Sequence, residues 1–428
     1  MRTFLIIWLG QFASLLGSEM TNFAITIWAW EVTGQATPLS FIFAVTQIPR
    51  LLIAPFAGIW VDRFNRKYLM LLGDSVAGLS TIALLALLLT DHLQIWHLYV
   101  SGAINGLFGY IQGLAHSASI SLIVTKQHYA RASAFESLQM SGSYVLAPAM
   151  AGAIYAMTGL SGILMIDIVT FVVAIATLGF VTVPQPTPTH PSPNQPNSLN
   201  AAWAQLTFGL RYLRRRPSLV AFLSYSMMSN FVCIVSFSIL PAMVLARSSN
   251  NATIWGTLLA FFGIGGLLGG VTLSIWGGPK QHIHGVLAAS AIWKVGLMVL
   301  ALAQHTSTKI GTALVCGFCS PFPESCSQAI WRAKVKPEVQ GRVFATRFLL
   351  TQLVTPLGAA IAGPLADHVF EPAMQPGGYL AQVFGNVFGV GLGAGMALQM
   401  MLFASCGLLI DLGGYRVRQL RQIEIINV

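Results

Sequence analysis

Twelve stretches of this chain are each apolar over the length, about 20 residues, that a helix needs to cross a bilayer. They fall at 4–30, 39–61, 68–90, 98–122, 134–157, 163–183, 218–246, 254–277, 285–304, 310–331, 343–366 and 386–411. In lipid, backbone N–H and C=O groups find no water, so runs of this length predict helices that pair them internally. The expected fold is therefore all-α and membrane-embedded, with twelve transmembrane helices. Composition leaves little room for another class. Of the 428 residues, 55% are hydrophobic and 8% charged, against about 25% charged in soluble domains. Mean hydropathy is +0.70. A soluble enzyme, a nucleic-acid-binding protein and a disordered scaffold are excluded. The first run is too long for a signal-peptide core and holds Glu19 and Asn22, so it reads as a retained helix.

The loops fix the expected orientation. One side carries 18 Lys and Arg, grouped at Arg2, Arg63–Lys67, Lys126–Arg131, Arg211–Arg216, Lys280, Arg332–Arg342 and Arg416–Arg421. The other carries only Arg247 and Lys309. Basic loops stay cytoplasmic, so the bias predicts an even number of spans in the cell membrane with both termini inside. The net charge of +10 is then a topogenic signal rather than a nucleic-acid signal.

The segment from Pro184 to Asn200 is proline-rich and polar and reads as an extended linker. An amphipathic stretch follows, with Trp203, Leu206, Leu210 and Leu213 on one face, suited to lying on the inner membrane surface. The expected domains are residues 1–183, a linker region at 184–216, and residues 217–428. Six runs lie on each side, and they look like repeats. Ser18 to Phe23 resembles Ser226 to Phe231, and Pro148 and Pro356 show the same offset of 208. Parallel six-helix repeats place a substrate site near the midplane, between the halves.

The loop after the second run reads Gly58-Ile59-Trp60-Val61-Asp62-Arg63-Phe64-Asn65-Arg66-Lys67. It resembles the signature G-x-x-x-D-R-x-G-R-K of the major facilitator superfamily. Asn65 stands where the family has Gly, and Asn is the next residue suited to a left-handed turn. The resemblance implies a fold of two pseudo-symmetric six-helix bundles. It also implies that Gly58, Asp62, Arg63, Arg66 and Lys67 form a conformational latch, which Asp74 is expected to support. Trp8-Leu9-Gly10-Gln11-Phe12, Pro49-Arg50-Leu51-Leu52, Gly341-Arg342-Val343-Phe344 and Ala362-Gly363-Pro364-Leu365-Ala366-Asp367 resemble the macrolide-efflux and siderophore-exporter branch of the drug:proton antiporters. Two stretches depart from that pattern. Ala115-His116 replaces an Arg found in many relatives. The glycine-rich antiporter pattern of the fifth run survives only as Ala134, Ser143, Ala147, Pro148, Ala151 and Gly152. Small residues still permit close helix packing, a role assigned also to Pro148, Gly152 and Pro356.

Ionisable groups inside a membrane are costly and default to functional hypotheses. Glu19 and Arg50 lie about halfway along the first two runs, which are antiparallel, so the two can pair. Glu19 then serves as proton carrier and Arg50 as its partner; the alternative is a static ion pair. Glu324, beside Pro321 and Pro323, is a second proton or cation site, or else a partner of Arg347. Lys294 snorkels or meets substrate. Asp167 and Asp411 read as interfacial. Asn22, Asn105, Gln112, His116 and Asn230 are candidate cavity residues. Phe318 and Phe322, with Trp28, Trp30, Phe231 and Phe237, are candidate aromatic lining, or else lipid-facing rings.

Other patterns carry no chemistry. Cys316-Gly317-Phe318-Cys319 lies in an apolar helix without a second pair, and His282 and His284 stand alone, so no metal site is expected. The five cysteines form no disulfide framework. The glycines at 265, 266, 269 and 270 have packing spacing, and no Walker loop is present. The reading is a secondary active transporter, not an enzyme and without cofactor, that exports amphipathic small molecules against protons as a monomer. The alternatives are an importer or anionic-lipid translocator, and a membrane receptor that does not transport.

Overall fold

The computed structural model describes residues 2–181 and 199–424. Most of the proline-rich linker, 184–198, lies outside the described residues, as do the side chains of Asp62, Trp203 and Leu206. The described residues are 88% helical, with no strand among them. In order the helices are α1 (Arg2–Thr33), α2 (Ala36–Arg63), α3 (Arg66–Leu89), α4 (Ile95–Ile123), α5 (Tyr129–Phe180), α6 (Leu199–Arg214), α7 (Pro217–Ser238), α8 (Leu240–Arg247), α9 (Ala252–Trp276), α10 (His282–Leu302), α11 (Thr306–Cys319), α12 (Pro321–Lys334), α13 (Gln340–Leu365), α14 (Glu371–Ala373), α15 (Tyr379–Phe388), α16 (Ala394–Gly414) and α17 (Arg418–Arg421).

Nine continuous helical stretches of the described residues are long and apolar enough to span a membrane. They accommodate ten of the twelve runs, because α5 holds the fifth and sixth. Its break is Gly159, at φ 62° and ψ −160°, a conformation closed to residues with a Cβ. The fourth run is α4. The tenth is divided between α11 and α12, where Pro321 cannot donate to the preceding turn. The seventh run likewise bends at Ile239, before Pro241, into α7 and α8.

Sequence chemistry marks several of these ends. Asn65 is not left-handed: at φ −61° and ψ 117° its side chain accepts from the Lys67 N–H and caps α3. The departure from Gly in the signature loop is therefore a helix cap. Asn251 caps α9 in the same way, and Gly277 ends that helix at φ 80°. Of the four expected packing glycines, Gly265 and Gly269 act as such, whereas a Cβ on Gly270 would meet open space. A Cβ on Gly265 or Gly269 would strike the backbone of Leu314 or Phe318, and one on Gly317 would strike Phe262. Here α9 and α11 meet backbone to backbone.

The chain divides into two compact units. Unit 1 is Met1–Ala29 with Val45–Ala202, and unit 2 is Trp30–Ala44 with Trp203–Val428. Unlike the expected boundary, this one assigns the tip of the α1–α2 hairpin to unit 2. The cause is local hydrogen bonding. Asp367 accepts from the N–H groups of Ala36 and Thr37, at 2.9 and 2.7 Å, and so caps the start of α2. Trp30 donates to Asn250 at 2.8 Å. Unit 2 also buries a cluster built on Phe222, Leu287, Ile330 and Trp331, with Trp331 fully enclosed. Unit 1 buries Ile7, Met70, Ala115 and Leu178.

Candidate functional site

In unit 1 four acidic side chains, Glu19, Asp74, Glu136 and Asp167, lie within the span region, and each is met by neutral partners; Glu136 accepts from Ser117 at 3.4 Å. Glu19 on α1 is half-buried, with Asn22 one turn away as its hydrogen-bond partner. Arg50 on α2 is exposed, and its guanidinium sits 5.4 Å from the Tyr110 ring centroid. Glu19 and Arg50 form no ion pair among the described residues. The Tyr110 face takes the cation instead, while Tyr144 on α5 lies within electrostatic reach of both charges.

Asp74, expected to brace the signature loop, does something different. It is 6% exposed. Gln11 on α1 donates to Asp74 Oδ2 at 2.8 Å, and Gln112 on α4 donates to Asp74 Oδ1 at 3.2 Å. Gln112 also donates to Gln11 Oε1 at 2.5 Å. A Cβ on the preceding Gly73 would collide with the Gln112 stem, so glycine there admits the amide. Asp167, read as interfacial, is 5% exposed. It accepts from Thr81 at 2.9 Å and Ser18 at 3.3 Å, because α5 continues well past it to Phe180.

The signature cations satisfy helix ends inside unit 1. Arg66 donates to the Ala118 carbonyl at 2.7 Å, near the end of α4. Lys67 donates to Gly179 and Val181 at 3.2 and 2.7 Å, at the end of α5. Both positions suit cations, since unpaired carbonyls gather at helix C-termini. Gly58 and Arg63 are exposed, and a Cβ on Gly58 would meet open space. Asn105 donates to Ser101 at 3.4 Å, and its Oδ1 is buried without a partner. His116 is half-buried in α4, Pro148 lies within α5 and Ala147 beside it is fully buried. Gly152, one turn beyond Pro148, lies in the same helix and is buried.

Unit 2 is built differently. Lys294 on α10 and Asp411 on α16 form an ion pair of 2.9 Å with side-chain exposures of 3% and 0%. Tyr225 and Ser229 on α7 donate to Asp411 at 2.8 and 3.3 Å, and Lys294 donates to Ser229 at 2.6 Å. This corrects two expectations: Lys294 does not snorkel and Asp411 is not interfacial. Space decides it, for any side chain on Gly407 would meet the Lys294 stem. Glu324 is exposed. It accepts from Gln328 at 2.8 Å and lies 3.8 Å from Arg347, which donates to Ser327. Asn230 donates to the Thr351 carbonyl and to Thr355 on α13, at 3.3 and 3.4 Å, one turn before the buried Pro356. Phe318 and Phe322 meet with tilted rings 5.7 Å apart, and Trp276 meets Phe322 at 6.4 Å. Phe237, Phe262 and Trp293 line a separate apolar cavity in this unit.

The two units share one pattern that a reading of single helices missed. In unit 1 a carboxyl on the sixth span, Asp167, meets hydroxyls from the first and third spans, Ser18 and Thr81. In unit 2 a carboxyl on the twelfth, Asp411, meets Ser229 from the seventh and Lys294 from the ninth. The available signal was the 208-residue offset, which carries Ser18 onto Ser226, one turn before Ser229. Glu371 was also missed; it accepts from Gly393 and Met396 and caps α16.

Two six-helix units, each with polar and ionisable side chains buried between its own spans, define a membrane transporter. The chain belongs to the Major Facilitator Superfamily, whose profile matches residues 7–359. It is 25% identical over 371 residues to macrolide efflux protein A of Streptococcus pyogenes, covering 86% of this chain and 90% of that one. It is 22% identical over 368 residues to the multidrug efflux pump Tap of Mycolicibacterium fortuitum, covering 83% and 88%. Among solved structures the nucleoside transporter NupG superposes with a TM-score of 0.68 at 12% identity, over 100% of both chains. That likeness concerns the fold alone.

Proposed function

We propose that this transporter exports amphipathic small molecules of the macrolide or multidrug kind in exchange for protons, by alternating access in the cell membrane. The observation that carries the reading is a likeness to efflux proteins over more than four-fifths of the chain. The half-buried carboxyl of Glu19 supports proton coupling, since its hydrogen-bond partner is a neutral amide rather than a cation. A carboxyl in such surroundings exchanges a proton without first breaking an ion pair. One proton moving down the membrane potential releases about 2.3 kcal/mol per 100 mV, enough for roughly tenfold accumulation or more.

In this reading Glu19 loads and releases the coupling proton, Arg50 tunes it, and Glu324 takes a second proton or a cationic group of the substrate. Asn22, Asn105, Gln112, His116 and Asn230 provide polar contacts, and Phe318 and Phe322 provide a greasy wall. The Gly58–Lys67 loop acts as latch. The protein works as a monomer with both termini inside. Reconstituted with erythromycin, Glu19→Gln is expected to abolish accumulation driven by a pH gradient while erythromycin counterflow persists. Gradient-driven accumulation at the normal rate in the variant removes Glu19 from the mechanism.

One observation favours a second reading. Arg50 is exposed and has no carboxylate partner, as a site for an anionic head group would require. A survey of substrate charge separates the two: anionic lipids competing with erythromycin for transport would favour translocation.

A further inference from the structure

We propose that Gln11, Asp74 and Gln112 form a proton-binding station, the inner of two carboxyl rungs stacked along unit 1. The proposal rests on the proton-coupled reading above. The rungs follow from spacing on two parallel helices. On α1, Gln11 and Ser18 are seven residues apart; on α3, Asp74 and Thr81 are also seven apart. Gln11 bonds Asp74, whereas Ser18 and Thr81 both bond Asp167. Seven residues are about 10 Å of helix, so one rung lies about two turns closer than the other to the basic loop that begins α3. The outer rung adjoins Glu19, the residue after Ser18.

The chemistry of the inner rung suits proton exchange. Asp74 is buried, and the groups bonded to it are two carboxamides. The other titratable groups along the spans of the helices packed around it include Glu19 on α1, Tyr99, Tyr110 and His116 on α4, and Glu136, Tyr144 and Asp167 on α5; the hydrogen bonds to Asp74 come from Gln11 and Gln112 instead. The cations at the start of α3, Arg66 and Lys67, are committed to carbonyls of Ala118, Gly179 and Val181. Unit 2 makes the contrast: there the buried carboxyl Asp411 has an ammonium 2.9 Å away. Asp74 has no such counter-charge among its bonded partners, which are both neutral amides.

The amides can serve both forms. With Asp74 ionised, Gln112 Nε2 donates to Gln11 Oε1 and Gln11 Nε2 donates to Asp74. A proton arriving from water forms an O–H bond at Asp74. If both amides turn over, Asp74 donates to Gln11 Oε1 and Gln11 Nε2 donates to Gln112 Oε1. The chain of hydrogen bonds then reverses direction, and the Gln112 bond to Asp74 Oδ1 is given up. Gln112 is half-buried and on α4, so it exposes the far end of this chain and couples the proton to the helix on which Asn105 and His116 also lie.

The test uses the full-length protein in two measurements. Infrared spectra of the purified protein, without substrate, are recorded over a pH titration. The wild type is expected to show a protonated-carboxyl C=O band that disappears on alkalinisation. Asp74→Asn should lose that component, and Gln112→Leu should shift its frequency. An unchanged titration in Asp74→Asn overturns the station. In proteoliposomes, Asp74→Asn should lose erythromycin accumulation driven by a pH gradient and keep counterflow, which also shows that the variant is folded. Normal gradient-driven accumulation in that variant overturns the proposal too. Failure of the wild type to respond to any pH gradient sinks proton coupling itself, and the infrared titration still decides whether Asp74 binds a proton.

Discussion

At the scale of single residues, the decisive chemistry lies in which buried charge meets which partner. The Lys294–Asp411 pair is enclosed and holds α7, α10 and α16 together through Ser229 and Tyr225. Removing one partner strands the other charge, so Lys294→Met is expected to lower stability by about 3–5 kcal/mol. Replacing both with apolar residues should restore most of that loss, as read by thermal unfolding in detergent. Equal losses in the single and double variants would mean that packing, not charge, dominates. The sequence placed Lys294 inside a span and Asp411 near the end of one, and no more. Whether Lys294 reaches water or Asp411 depends on the bare backbone at Gly407, a contact between remote parts of the chain. The absence of a Glu19–Arg50 pair has the same origin. Depth along a helix was legible, but the competing face of Tyr110 was not.

At the scale of elements, almost everything local was legible. Hydropathy located ten of the twelve runs within continuous spanning helices, because lipid forces each run to satisfy its own backbone. What failed was continuity: a glycine at φ 62° lets two spans run on as α5, and Pro321 divides one span into α11 and α12. Two elements give direct checks. Asn65 caps α3, so Asn65→Ala should cost about 1 kcal/mol of stability, while Asn65→Asp keeps the acceptor and should cost little. A similar loss in both would assign Asn65 another role. Gly269 lets α9 meet the Phe318 backbone. Gly269→Val overpacks that contact at a cost of about 1–3 kcal/mol, whereas the same change at Gly270, where a Cβ meets open space, should be tolerated. Relative yields of folded protein on size-exclusion chromatography report the difference.

At the scale of the whole molecule, the repeat seen as a 208-residue offset becomes a shared plan in which the last span of each unit offers a buried carboxyl to its first and third. The units then diverge in charge. Unit 2 neutralises its carboxyl with Lys294, while unit 1 keeps Glu19, Asp74 and Asp167 among amides and hydroxyls. In the proposed mechanism this asymmetry is used by placing proton chemistry in unit 1, while the Lys294–Asp411 pair holds unit 2 together. The most direct test of proton-driven export follows proton and drug together, with a pH-sensitive dye inside proteoliposomes preloaded with erythromycin. Acidifying the outside is expected to send protons in as erythromycin leaves, in the wild type and not in Glu19→Gln. Erythromycin efflux with no accompanying acidification of the interior, or identical proton entry in the variant, would contradict it.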